Sequence, residues 1–202
     1  MASEPAPRLI RELSGAAAVL LLVQGCTNVI STPANPSRPL PVFLVDHGRH
    51  ASLVLPRGDD GMVRYAYGDW EYFARAKTGP GEASAAVLWP TRAALGRRSL
   101  PGLPGESGVR RHLFGIERLY RVVVESRRIE RLRARLDSIY ESNIETLIYN
   151  STYDLEFVHH PRSYWVLHNS NLVVAAWLEE LGCRVSGPGI LSNWRLEPRR
   201  NR

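Results

Sequence analysis

The chain is poor in cysteine and in lysine. Only Cys26 and Cys183 are present among 202 residues, which excludes a disulfide-rich scaffold and a zinc site held by four cysteines. A domain of this length buries enough apolar surface to fold without disulfides. Lys77 is the one lysine among 26 basic residues, a bias that we attribute to genome composition. With 44% hydrophobic and 23% charged residues, the chain is neither wholly disordered, collagen-like nor a polytopic membrane protein.

Recognised metal-binding motifs are also missing. The chain has no His-Glu-x-x-His and no Cys-x-x-Cys sequence. His47 and His50 flank Gly48 between two strand-like segments, and a step of three residues along a strand should direct their side chains to opposite faces. His159 and His160 precede a proline and are predicted to form a loop pair. We therefore expect neither a metal ion nor another cofactor.

The uncharged N-terminal run is too short to cross a bilayer. Residues 13–25 would span about 20 Å as a helix, whereas the hydrocarbon core is about 30 Å thick. This length, with Arg8 and Arg11 before it, is typical of a signal peptide. The sequence Val-Gln-Gly-Cys ending at Cys26 resembles a bacterial lipobox and predicts that this cysteine receives a lipid. The alternative is an ordinary signal peptide with an incidental cysteine.

These segments predict the domain organisation. Residues 1–25 are a signal peptide, residues 26–40 are the lipidated Cys26 and a flexible, proline-rich tether, and residues 41–202 form a single domain. We therefore expect an exported protein whose partner is membrane lipid, bound through Cys26. Thr27, rather than aspartate, follows that cysteine, which by analogy with other lipoproteins favours the periplasmic side of the outer membrane.

The domain is predicted to be α+β. Residues 78–110 are rich in glycine and proline and are expected to be mostly loop, with a strand-like island at residues 86–89. A short helix is expected over residues 70–77. Apolar runs predict strands, of which the first three would form a meander, at residues 42–45, 51–55, 62–68 and 119–125.

Two longer helices follow from apolar residues spaced three and four apart. The first has its core face at Ile129, Leu132, Leu136, Ile139 and Tyr140. The second follows the capping residues 169–171 and ends before Gly182. Its predicted core face is Leu172, Val173, Ala176, Trp177 and Leu181.

The net charge of +6 raises the question of nucleic-acid binding. Several arginines lie on the polar face of the first long helix, but Glu130, Asp137 and Glu141 dilute that charge. An exported protein also rarely meets nucleic acid. We therefore expect no nucleic-acid partner, and interpret the charge as a surface that faces anionic lipid or an envelope polymer.

Nucleophilic catalysis is the chemistry that remains to be considered. His50 precedes an apolar strand, where a general base could be held rigidly, and Ser170 stands at the predicted start of the last helix. A helix N-terminus favours negative charge, but a serine hydroxyl is far from ionisation and needs a base during attack. The alternatives are that Ser170 only caps the helix, and that His50 is a polar residue hydrogen-bonded at a strand end.

Three segments resemble an uncharacterised family of bacterial lipoproteins. Residues 47–55 (His-Gly-Arg-His-Ala-Ser-Leu-Val-Leu) are similar to the Gly-x-His motif and following strand of that family. Residues 67–70 (Tyr-Gly-Asp-Trp) resemble its Gly-aromatic-Gly-Asp segment, and residues 164–171 resemble its aromatic-rich Asn-Cys-Asn segment at the head of a helix. The family is related to the circularly permuted papain-like fold of NlpC-type cysteine peptidases. The likeness covers residues 41–194.

The resemblance implies a small antiparallel sheet packed on helices and a defined set of site residues. His50 would be the base, Asp69 or a neighbour the orienting group, and position 170 the nucleophile. The family has cysteine at that position, whereas this chain has Ser170. Cys183 lies beyond the predicted helix end and cannot replace it. Thiol-dependent peptidase or acyltransferase chemistry is therefore not expected.

Three functions from different classes stay open, and the sequence does not indicate an oligomeric state. A degenerate binder of a cell-wall peptide (peptidoglycan) or an acyl-bearing ligand would keep a groove without a catalytic contact. A serine-dependent amidase, peptidase or acyl hydrolase would hold the Ser170 hydroxyl about 3 Å from His50 beside an open groove. A structural or assembly lipoprotein would bury Ser170 as a helix cap.

Overall fold

Strands make up more of the chain than helices do. The computed structural model describes residues 27–59, 61–77 and 89–197, so the predicted signal peptide, Cys26 and most of the island at 86–89 lie outside the described residues. The strands are β1 (Asn28–Ser31), β2 (Pro39–Asp46), β3 (Ala51–Pro56), β4 (Gly61–Asp69), β5 (Thr91–Pro101), β6 (Arg118–Glu125), β7 (Ile148–Asn150), β8 (Leu155–Tyr164), β9 (Arg184–Ser186) and β10 (Trp194–Leu196). The helices are α1 (Glu106–His112), α2 (Ser126–Glu141) and α3 (Ser170–Glu180), with a π-helical turn at Trp70–Ala74 and a 3₁₀ turn at Ile144–Thr146.

Seven strands form one antiparallel sheet in the order β6–β2–β3–β4–β5–β8–β7. The predicted meander is confirmed as β2–β3–β4, and the prediction of an α+β domain is confirmed as well. The sheet is large rather than small, because β5 and β8 extend it beyond the meander. A second sheet of three strands, in the order β10–β1–β9, brings the first described strand to the last two.

Both faces of the large sheet are covered. On the first face, Leu53 and Tyr65 pack with α2 and α3 in the main core. On the second face, Val54 packs against α1, and Ala66 packs with Trp70 of the π-helical turn. Side chains alternate between faces, so β3 and β4 are buried along almost their whole length. This double burial explains why these strands are continuous apolar runs in the sequence.

The two long helices lie where the apolar spacing predicts them. The predicted apolar face of α2 is buried or packed on the main core. The buried face of α3 is rotated relative to the predicted one. Val174 and Leu178 are buried, whereas Leu172 is half-buried and Ala176 is exposed. Since α3 is apolar on nearly every side, residue spacing alone does not select its buried face.

The region predicted to be mostly loop contains β5 and α1. The strand pattern of β5 is hidden, because its centre is made of small residues followed by two arginines. Arg97 pairs with Asp137 and Glu141, with N–O distances of 3.1 and 2.7 Å, and Arg98 pairs with Asp154. Salt bridges to residues that are distant in the sequence therefore accommodate two arginines whose charges are atypical of a buried strand.

His159 and His160 lie in β8 rather than in a loop. The strand pairs with β5 at His160 and again at Tyr164, and the register shifts between those two points. Pro161 falls in the shifted segment, where its missing amide hydrogen breaks no ladder bond. The proline therefore interrupts the pairing locally but does not end the strand.

The folded part begins at β1, earlier than the residue 41 expected from the sequence. Asn28 is fully buried, and its side-chain amide donates to the Leu191 carbonyl at 2.7 Å. Its Oδ1 accepts from the Gly189 amide at 2.8 Å. Ile30 packs into the main core. The segment expected to be part of a tether is thus held by a buried strand in its first residues.

The side chain of Asn28 should be important for stability. We expect Asn28→Ala to lower the free energy of unfolding by about 2–4 kcal/mol, because the buried Gly189 amide and the part-buried Leu191 carbonyl would both lose their partner. Ser31→Ala in the same strand is the control, since the Ser31 hydroxyl bonds Glu197 at an exposed position and its loss should cost about 1 kcal/mol or less. Urea unfolding followed by tryptophan fluorescence measures both, and equal losses would contradict the prediction.

Candidate functional site

A cavity of about 470 Å³ lies at one end of the large sheet, where the β2–β3 turn, the end of β4 and the start of α3 meet. His50, Asp69 and Ser170 all line this cavity. The structure therefore brings together the three residues proposed from the sequence. The volume lies in the range of small-molecule sites. Aromatic side chains contribute much of the wall, namely Tyr72, Phe73, Tyr153 and Tyr164.

His47 and His50 stand at the two ends of the β2–β3 turn. The His47 amide donates to the His50 carbonyl at 2.9 Å, and the two rings stack with their centroids 4.9 Å apart. The expectation that the rings point to opposite faces is wrong, because the residues between them reverse the chain instead of continuing a strand. Gly48 permits this reversal with a φ of 85°, a conformation that favours glycine.

His50 packs among side chains of the second face. Its ring meets the edges of Phe73 and Tyr153, with centroid distances of 5.2 and 5.8 Å. No hydrogen bond joins the His50 ring to another residue within the described ranges. Burial, together with neighbouring His47 and Arg64, lowers the pKa of His50 to about 3. The imidazole is therefore neutral at neutral pH, and it is a weak base.

Arg64 is a buried cation beside the histidine pair, only 4% exposed. Its guanidinium donates to Ser52 Oγ at 3.0 Å, to the Tyr153 carbonyl at 3.1 Å and to His47 Nε2 at 3.0 Å. It forms no salt bridge with any described carboxylate. Because a guanidinium can only donate, His47 Nε2 must accept, and His47 Nδ1 donates to the Gly115 carbonyl at 2.9 Å. Arg64 thus fixes the tautomer of a neutral His47.

Asp69 has both carboxylate oxygens engaged away from the histidines. Oδ1 accepts from the Tyr72 amide at 2.8 Å and caps the π-helical turn. Oδ2 accepts from the Thr91 hydroxyl. In the part of the chain that the structure describes, Asp69 forms no hydrogen bond with His50 or Ser170. Its contacts hold the end of β4 and the following turn in place, rather than orienting a base.

Ser170 is the first residue of α3, but Asn169 is the cap. The Asn169 Oδ1 accepts from the amides of Asn171 and Leu172, at 2.9 and 3.0 Å. Ser170 is 4% exposed and lines the cavity. Burial, together with the nearby carboxylate of Asp69, raises the pKa of neighbouring Tyr164, and the closeness of the Ser170 hydroxyl and amide acts in the opposite direction. The Ser170 side chain therefore faces the phenol of Tyr164.

Ser170 and His50 reach the cavity from different faces of the sheet. α3 covers the first face, whereas His50 packs with Phe73 and Tyr153 on the second. Among the described side chains, none of the hydrogen bonds joins Ser170 to His50. The geometry that a serine-dependent enzyme requires, a hydroxyl about 3 Å from the imidazole, is not formed.

Asn171 lines the cavity, and one of its polar atoms is buried without a partner. The side chain is 2% exposed, and its Nδ2 lies 3.5 Å from the Ile190 carbonyl. Its Oδ1 has no hydrogen-bond partner among the described residues. An unpaired buried amide oxygen is unusual, because it costs about 1–3 kcal/mol.

Cys183 lies in the main core, just beyond α3. Burial raises the pKa of its thiol to about 12, and the side chain is not part of the cavity wall. The prediction that Cys183 cannot take the place of Ser170 agrees with this position.

The described residues contain neither a cluster of metal ligands nor a helix that could span a membrane. Residues 27–197, apart from position 60 and positions 78–88, contain no group of three or more His, Cys, Asp or Glu side chains that could hold a metal ion. The helices in those ranges are too short or too polar to span a bilayer.

Similarity to known proteins does not identify the function of the site. No family model, no curated protein and no solved structure matches the chain. The resemblance to papain-like lipoproteins stays a hypothesis that rests on the segments around His50, Asp69 and Ser170.

Several residues of the site were not predicted from the sequence. Arg64 carries a signal that could have been used, because a charged residue inside an apolar strand is rarely buried without a role. Phe73 and Tyr153 carry no such signal. They come from a π-helical turn and from the loop before β8, and only the tertiary structure places them beside His50.

The buried histidines should make stability depend on pH. Burial lowers the pKa of His47 and of His160 to about 4, and that of His50 to about 3, whereas the unfolded chain takes up these protons near pH 6.5. Stability is therefore fully present above pH 6.5 and is lost as the pH falls towards 4. The slope is about 1.4 kcal/mol per pH unit for each histidine.

We expect His50→Phe to reduce the dependence of the unfolding free energy on pH by the contribution of one histidine, about 1.4 kcal/mol per pH unit between pH 6 and 4. Phe73→Leu is the control, because it loosens the same aromatic contact without removing a titrating group and should lower stability equally at each pH. Urea unfolding at several pH values measures both variants. An unchanged slope in His50→Phe would contradict the prediction.

Proposed function

We propose that the protein is a membrane-anchored envelope lipoprotein whose papain-like cavity binds a cell-wall peptide or an acyl-bearing ligand without turning it over. The lipid would be attached to Cys26. The permuted papain-like arrangement is part of this proposal. No cofactor is needed for it.

The arrangement of the site residues supports the papain-like interpretation. The histidine comes early in the chain, beside a strand, and position 170 comes late, at the N-terminus of a helix. Both line one cavity, together with Asp69 at the end of β4. This is the order and the placement that the resemblance implies.

The observation that carries the absence of turnover is that His50, the expected base, forms no hydrogen bond with Ser170 among the described residues. His50 packs against Phe73 and Tyr153 on the second face of the sheet, and burial makes its imidazole a weak base. Asp69 is occupied by the Tyr72 amide and by Thr91. A serine hydroxyl that cannot lose its proton during attack does not form an acyl intermediate.

The open cavity supports binding over a purely structural role. A site that had been packed shut would leave no space between α3 and the β2–β3 turn, whereas about 470 Å³ remains. The wall combines aromatic surface with polar side chains, among them Asp69, Asn169 and Asn171. Ligand sites commonly combine apolar walls with a few oriented polar groups in this way.

Activity-based labelling tests whether Ser170 reacts. We expect a serine-directed fluorophosphonate not to label the purified protein, because no base removes the hydroxyl proton. Ser170→Cys should react with a thiol-directed probe faster than free cysteine does, since a helix N-terminus lowers the pKa of a thiol.

The same experiment distinguishes the other two functions. Labelling of the unmodified protein by fluorophosphonate, lost in Ser170→Ala and in His50→Ala, would establish the serine-dependent enzyme instead. No reaction of Ser170→Cys with a small thiol probe would indicate a closed site and favour a structural lipoprotein.

Ligand binding tests the cavity directly. We expect a soluble muropeptide or dodecanoate to bind the protein in a calorimetric titration, and Val166→Trp to weaken that binding at least about tenfold by filling the cavity with a bulky side chain. Leu103→Trp is the matched control, because Leu103 is 78% exposed and lies away from the cavity. Equal affinities in the two variants would contradict the assignment of the cavity as the binding site.

A further inference from the structure

Two loops beside the cavity expose large apolar side chains. Leu167 is 61% exposed and Trp165 is 37% exposed in the turn before α3. Ile190 and Leu191 are 50% and 53% exposed in the loop that follows β9. We call these four residues the apolar rim. Clustered exposed apolar residues usually mark a surface that contacts another apolar phase.

The apolar rim borders the mouth of the cavity. Ile190 itself lines the cavity, as does Val166, which lies between the other two rim residues of its loop. Both loops are tied to the start of α3. Asn169 Nδ2 donates to the Val166 carbonyl at 3.0 Å, and Asn171 Nδ2 lies 3.5 Å from the Ile190 carbonyl.

The chain that follows Cys26 joins the domain at this same place. The side chain of Asn28 bonds the Gly189 amide and the Leu191 carbonyl. Gly187 lies so close to Thr27 that a Cβ on it would be 2.5 Å from the Thr27 carbonyl oxygen. Thr27 is therefore held against the loop that carries half of the apolar rim.

This attachment fixes how far the rim can lie from a lipid on Cys26. One residue separates that cysteine from Asn28, so the extended chain between them spans about 7 Å. The expected tether of residues 26–40 would have spanned about 50 Å when extended, and would have let the domain turn freely. With β1 in place, a lipid on Cys26 would hold the loop after β9 at about the depth of the lipid headgroups.

Charge does not provide an alternative explanation for this surface. Arg49 lines the cavity together with the two carboxylates of Asp69 and Glu117, so the mouth carries no excess of positive charge that would attract an anionic lipid surface. Contact at the rim is therefore apolar in character, and the apolar phase within reach of residue 27 is the bilayer.

We propose that the apolar rim docks on the bilayer that holds Cys26, so that the cavity opens towards the lipid. This inference rests on the proposed lipoprotein function and sharpens it, because a cavity that faces the bilayer takes an acyl-bearing ligand from the membrane rather than a cell-wall peptide.

Site-specific fluorescence on the full chain tests this docking. The chain is reconstituted in phosphatidylcholine vesicles and carries an environment-sensitive fluorophore at Leu167→Cys or Leu191→Cys. Leu103→Cys is the control, because Leu103 follows the end of β5 that pairs with the start of β4, opposite the cavity. All variants carry Cys183→Ala, which removes the buried thiol.

Brominated lipid should quench the probes at positions 167 and 191 at least twofold, and leave the probe at position 103 within a tenth of its intensity. The quenching should be the same at low and at high salt, because the contact is apolar. Equal quenching at all three positions, no quenching at 167 and 191, or quenching that disappears at high salt would each overturn the docking.

A second measurement separates this inference from the proposed anchor. Metabolic labelling with a palmitate analogue should mark the chain and be lost in Cys26→Ser. Labelling that persists in Cys26→Ser, or that never occurs, refutes the lipid anchor itself. Normal labelling combined with unquenched probes at positions 167 and 191 refutes only the docking.

Discussion

The buried guanidinium of Arg64 determines the protonation of the histidines at the cavity. Arg64 satisfies its donors with a hydroxyl, a carbonyl and the Nε2 of His47, and so requires that imidazole to stay neutral. The His50 ring stacks on the same imidazole, and burial lowers the pKa of His50 as well. Both rings are thereby held in the wall of the cavity in the neutral form, and among the described residues neither is hydrogen-bonded to Ser170.

The sequence predicts the members of the site better than their roles. His50, Asp69 and Ser170 each stand at a strand or helix end with a recognisable local pattern, and the structure brings all three to one cavity. Their roles depend on the face from which each side chain arrives and on its other partners. Asp69 is used by Tyr72 and Thr91, and these contacts are not visible in the residues around it.

The fold shows the same division between local pattern and distant contacts. The meander, α2 and α3 have apolar patterns that are strong in themselves and were predicted. β5 was not, because Arg97 and Arg98 find their carboxylates on α2 and before β8. β8 was not, because a register shift accommodates Pro161. In each case a residue that is atypical of a strand is accommodated through a contact with a segment that is far away in the sequence.

The position of β1 between β9 and β10 has a consequence for the order of folding. Ser31 and Glu197 form a hydrogen bond although they are 166 positions apart, so β1 cannot pair until the C-terminal residues have been synthesised. Closing so long a loop is costly in entropy, and non-local strands pair late. The large antiparallel sheet can form first, from neighbouring strands. The residues of β1 are then the last to be ordered, and the cavity acquires its final wall only when both ends of the described chain meet.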